Sequence, residues 1–192
     1  NLNLSPMYTA VGGQQYFYLH DPYGNVFQLV ECDDFFHPSR HPTGGAYGAL
    51  IGVSDMERSI RFYRNLLGYD AVLSDQTGEF DDMSHLGASG DTFRRVVLTH
   101  SKPRIGAFSK LFGTSQIELL QVKNREPRKI YEGRWWGDPG FIHLCFDIRG
   151  MKEMRERCEK EGYPFTVDTE SILADNFDMG EAAGNFAYNE DP

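Results

Sequence analysis

Three side chains have the type and setting to do chemistry. Glu118 is the carboxylate in "SQIELLQV" (115–122), an otherwise apolar strand-like run. Strand alternation puts Glu118 on one face with Gln116 and Leu120, and Ile117 and Leu119 on the other. A carboxylate on an inward face needs a cation or hydrogen-bond donors to offset its desolvation. His143 opens "HLCFDI", a second strand-like run; imidazole is a metal-ligand type, though a lone strand histidine is more often a hydrogen-bonded core residue or a pocket wall. Gln28, in "VFQLV", offers a weak amide oxygen donor that equally suits a polar pocket wall. The other histidines are less suggestive. His37 and His41 lie in the Pro-rich "CDDFFHPSRHPTGG" and predict solvent exposure, while His85 and His100 flank loop segments and read as structural. No Ser-His-Asp order, phosphate-cradling Gly loop or zinc-knuckle spacing is present.

The elements that must position these residues recur. "YFYLHDPYGNVFQLVE" (16–31) and "NFAYNEDP" (185–192) match at Tyr16/Phe186, Tyr18/Tyr188, Asp21/Asp191 and Pro22/Pro192. "GALIGVSDMERSIRFY" (48–63) and "HLCFDIRGMKEMRERC" (143–158) match at Leu50/Cys145, Val53/Ile148 and Met56/Met151. In the second pair a short alternating strand gives way to a helical pattern in both copies. Ser54 with Glu57 three residues on forms a capping box; Ile60, Phe62, Tyr63, Leu66 and Leu67 give a broad apolar face, and Gly68 a stop. The later helix is more polar, with a stripe of Met151, Met154 and Cys158 ended by Gly162. "AVLSD", "RRVVLTH" and "SQIELLQV" then complete the order strand, helix, strand, strand, strand. Residues 16–19 and 26–30, around "DPYGN", predict a hairpin.

Composition narrows the function. A formal net charge of −9 disfavours a nucleic-acid surface or attraction to anionic lipid. No apolar run approaches a membrane span, and Cys32, Cys145 and Cys158 are too sparse for a disulfide framework, so the expectation is a cytoplasmic protein with reduced thiols. The start at Asn1 and the end in mid-repeat imply a piece of something longer.

The motifs "IGVSDMERSIRFYRNLLGY", "DPYGNVFQLVE" and "HLCFDIRGM" resemble the vicinal oxygen chelate superfamily, the glyoxalase, bleomycin-resistance and extradiol-dioxygenase group. The resemblance implies an α+β fold of paired βαβββ modules whose half-open curled sheets surround a cleft. It divides the chain into the last hairpin of a preceding module (1–32), a complete module (46–123) and a following module lacking its last strand (140–192). A permuted domain, in which residues 16–31 complete the final module, is the alternative. Trp135 and Trp136, in the linker between the later modules, predict packing between modules, with an aromatic lid as the other reading.

The resemblance also implies a divalent metal held by first-strand and last-strand residues of paired modules. Those positions fall on Gly48, which cannot ligate, and on Glu118, His143 and Gln28. Glu118 would double as a general base by leaving the metal. The implied activity is a lyase, isomerase or dioxygenase acting on a small oxygen-bearing metabolite, with a homodimer allowed. The lost corner at Gly48 supports a different class, a metal-free binding or sequestering protein. If the metal reading holds, Glu118 and His143 share one cleft.

Overall fold

The computed structural model describes residues 3–33, 41–106, 109, 114–130, 132–135, 137–169, 177–178 and 183–192. The "DPYGN" segment reverses the chain as its residues dictate. Asp21 N–H donates to Asn25 O at 3.0 Å, Gly24 takes φ 87°, and the Asp21 carboxylate accepts from the Tyr23 and Asn25 amides at 2.8 Å each. The reversal joins β3 (Gln15–His20) to β4 (Val26–Val30) in register, Tyr18 opposite Gln28 and His20 opposite Val26. The short strands β1 (Asn3–Leu4) and β2 (Tyr8–Thr9) share the other edge of β3. β3 therefore shows Tyr16, Tyr18 and His20 on one face.

The second sheet follows the expected order. β5 (Gly48–Gly52), α1 (Met56–Leu67), β6 (Ala71–Gly78), β7 (Phe93–Thr99) and β8 (Gln116–Val122) form a βαβββ module with ladder order β5-β8-β7-β6. β5 runs parallel to β8, and the other pairs are antiparallel. Both four-stranded sheets are open ladders. Gly48 lies where β5 meets β8: a Cβ there would stand 2.1 Å from the Gln116 carbonyl oxygen, so the position demands glycine for close backbone approach. On one face of this sheet Val96, Leu98, Ile117 and Leu119 are fully buried. The other face carries Phe93, Leu120 and Val122, packed with Met83, Phe80 and Leu86. Those last three belong to, or precede, a 3-10 helix at Asp81–Leu86, which Gly87 ends at φ 76°.

Contacts separate the chain into two compact units, Asn1–Met56 with Tyr69–Leu144, and Glu57–Gly68 with Cys145–Pro192. In the latter, α1 meets α2 (Met151–Glu161) through the Asn65–Glu161 hydrogen bond and through Arg157 donating to Leu66 O. Phe62 stacks edge-on against Tyr163. Gly68 and Gly162 stop the two helices in left-handed backbone, at φ 75° and 84°. Asp191, the repeat partner of Asp21, accepts from Ser59 and Tyr63 of α1. β12 (Ala187–Tyr188) pairs with β9 (Val167–Asp168), and β10 (Phe177–Asp178) with β11 (Ala183–Gly184). β4 has β3 alone as its ladder partner among the described residues.

α1 begins at Met56, within two residues of Ser54, and one local reading differs from expectation. Residues 141–148 form no strand, despite the alternation in "HLCFDI". β5 is held by β8, whereas none of the described strands of residues 145–192 pairs with residues 143–148. An isolated strand leaves its own N–H and C=O groups without ladder bonds, so pattern alone does not make one.

Candidate functional site

The site begins with two consecutive arginines in β7. Strand alternation sends them to opposite faces. Arg94 meets Asp75 at the surface, with Nε and Nη2 donating at 2.9 and 2.8 Å. Arg95 points to the face that carries Glu118. Its cross-strand partner is Leu120 and that of Glu118 is Val97, so the two charges are diagonal neighbours within reach of long side chains. Arg95 Nε donates to Glu118 Oε1 at 2.5 Å, and Nη1 donates to Asp82 Oδ2 at 2.8 Å. The guanidinium also lies over the Phe80 ring, 5.3 Å from its centroid.

The β3–β4 hairpin completes the network. Tyr16 and Tyr18 both donate to Asp82 Oδ2, at 2.8 and 3.1 Å. Gln28, opposite Tyr18 in register, donates from Nε2 to the Tyr18 hydroxyl at 3.2 Å and lies close enough to Glu118 to lower its pKa. Asp82 is 3% exposed and Tyr18 1%. Six side chains from β3, β4, the 3-10 helix, β7 and β8 thus form one buried polar cluster.

Burial dominates its electrostatics. It pushes the Glu118 carboxyl above the usual carboxylate range, against the opposing pull of Arg95 and Gln28. Burial, reinforced by the nearby carboxylates, lifts both phenols well above their ordinary value. Burial alone would lower Arg95, but Glu118 and Asp82 outweigh it and hold the guanidinium firmly charged. With both carboxylates ionised the cluster carries two negative charges and one positive.

The structure brings together two of the three expected metal residues, Gln28 and Glu118. His143 is exposed, in a segment without a strand, and none of the hydrogen bonds or ion pairs of the cluster reaches it. His37 and Trp136 lie outside the described residues, and Trp135 is exposed. His100 stacks on Tyr69, with centroids 4.1 Å apart. Arg95, Asp82, Tyr16 and Tyr18 were not anticipated as site residues; paired arginines in an apolar strand were the available signal, since one of them must face inward.

The donor set around Glu118 does not fit a divalent ion. A metal would sit about 2.0–2.2 Å from a carboxylate oxygen, yet Glu118 Oε1 already receives the Arg95 guanidinium. That cation would repel a second one at close range. Among the described residues no group of three or more His, Cys, Asp or Glu side chains is arranged to hold a metal. A separate open cavity of about 520 Å³ is lined by Gly12, Gln14, Glu31, Asp33, Tyr47 and Thr114 among others. Among the described residues, its lining includes the Glu31 and Asp33 carboxylates and no basic side chain.

A βαβββ module with a second, hairpin-bearing sheet contributing polar groups over its last strand defines an α+β architecture. The chain belongs to the glyoxalase/bleomycin resistance protein/dioxygenase superfamily, whose family model matches residues 49–178. A search of curated proteins finds no match. No helix among the described residues is long and apolar enough to cross a membrane.

Proposed function

We propose that this chain is a small-molecule-binding member of the superfamily that works without a metal at Glu118. The observation that carries the reading is Arg95, which bridges Glu118 and Asp82 where a metal would need those oxygens. The guanidinium has five N–H donors. Glu118, Asp82 and a Tyr16 hydrogen bond use some of them. Guanidinium donors suit oxygen acceptors on a bound molecule, alongside the Gln28 amide. The surplus negative charge favours a neutral or cationic ligand over an anion. The residues bind and orient.

Titration with Mn2+, an ion that favours oxygen donors, tests this. Wild type shows no binding that Glu118→Gln alters, and Arg95→Ala, which frees two carboxylates, gains affinity. Stoichiometric binding by wild type that Glu118→Gln removes would overturn the reading and restore the metalloenzyme alternative, a lyase, isomerase or dioxygenase. On the ligand side, a panel of neutral and cationic oxygen-bearing molecules should contain compounds that raise the melting temperature of wild type but not of Tyr18→Phe.

A further inference from the structure

The row of β3 side chains continues past the cluster. Tyr16, Tyr18 and His20 share one face of the strand. A 3-10 helix has three residues per turn, which stacks Asp82 and His85 on one side. The two phenols bond Asp82, and the third strand position meets the second helical one. The His20 and His85 rings stand edge to face, with centroids 5.1 Å apart at 67°. Nε2 of each ring is buried and has no hydrogen-bond partner among the described residues. A buried polar atom left unpaired costs about 1–3 kcal/mol, and two such atoms in adjacent rings call for a shared third body.

We infer that His20 and His85 form a two-imidazole site for a borderline divalent cation of the zinc class. Imidazole nitrogen suits such ions. With metal–nitrogen distances of about 2.0–2.1 Å, two imidazoles sharing a tetrahedral ion hold their centroids about 5 Å apart, as these rings do. Asp82, one turn from His85 in the 3-10 helix, belongs to a cluster with surplus negative charge, which favours a nearby cation. Two coordination positions remain for water or for oxygens of a bound molecule. This site uses neither Glu118 nor His143, so it stands or falls separately from the metal-free reading of Glu118.

Zinc titration of the whole chain by calorimetry at neutral pH, with Co2+ absorption as a second measurement on unmodified protein, tests it. One Zn2+ should bind per chain, and His20→Gln and His85→Gln should each weaken it. Losing an outer-shell partner alone costs about 10–100-fold, so losing a ligand should cost at least about tenfold. His143→Ala should leave affinity unchanged. Bound Co2+ should show the intense visible bands of a tetrahedral site without a sulfur charge-transfer band. No zinc binding, binding that survives both histidine variants, or an octahedral Co2+ spectrum would overturn the inference and leave a bridging water between the rings.

Discussion

Arg95→Met is the most informative single change in this protein. It removes the guanidinium while retaining much of the apolar stem that packs in the sheet. The side chains involved are 13% exposed for Arg95, 3% for Asp82 and 13% for Glu118, so solvent cannot replace the lost cation. Breaking a buried pair by removing one partner costs about 3–5 kcal/mol. The cost is not doubled for two carboxylates, because Asp82 keeps both phenol donors and Glu118 keeps Gln28 and can take up a proton. Urea unfolding followed by circular dichroism reads the effect. With a slope of about 1–3 kcal/mol per molar urea, the midpoint should fall by about 1–5 M.

The pH dependence sharpens the test. Burial already places the folded Glu118 pKa above its unfolded value, and removing Arg95 removes the main opposing influence. A raised folded pKa means that the folded state binds more protons, so stability is present below the unfolded pKa and is lost as pH rises through the folded one. The gap between variant and wild type should therefore be widest at neutral pH and narrow in mild acid. Arg94→Met serves as the control, because its pair with Asp75 is partly exposed, at 25% and 41% for the two side chains. Such surface pairs contribute about 0–1 kcal/mol. A loss for Arg95→Met below about 1 kcal/mol at both pH values, or a gap that widens in acid, would refute the argument.

Other changes test the same construction. Tyr16→Phe and Tyr18→Phe should each destabilise by about 1–3 kcal/mol. The double variant should cost less than the sum, because both hydroxyls donate to the same Asp82 oxygen; strict additivity in chemical denaturation would count against a shared network. Gly48→Ala should cost about 1–3 kcal/mol or more by prising β5 from β8, since the clash is with the Gln116 backbone oxygen and no side chain can swing away. Retention of the wild-type melting temperature would contradict that packing.

The module was legible where local physics decides. Strand alternation, the apolar face of α1 and the glycines at 68 and 162 all act over a few residues, and the order β5–α1–β6–β7–β8 follows from them. The stretch around His143 was not legible, because a strand needs an edge to pair with, and that edge is supplied from elsewhere in the chain. The site was half legible. Glu118 announced itself as a carboxylate in an apolar strand, but its partner lies in a different strand, and only the diagonal register of β7 on β8 joins them. Asp82 was invisible: "DDMSHL" folds as a short 3-10 helix whose sequence has no longer period to read, and burial of its second aspartate depends on Tyr16, Tyr18 and Arg95.

Gln28 and Glu118 sit at corresponding last-strand positions of successive hairpins, and they meet in one cluster. A buried carboxylate at such a position must be compensated, and either a metal or a guanidinium can supply the charge. The two solutions differ in how they yield. Where histidine or cysteine guards a site, a metal competes with protons, and raising the pH admits it. Arginine offers no such route. Its charge is permanent at any pH the fold survives, and the paired carboxylates bind it more firmly still. Opening Glu118 to a cation therefore requires a substitution at position 95 and not a change of conditions, which is why the Mn2+ response of Arg95→Ala, set beside that of wild type, bears directly on whether this pocket works with a metal.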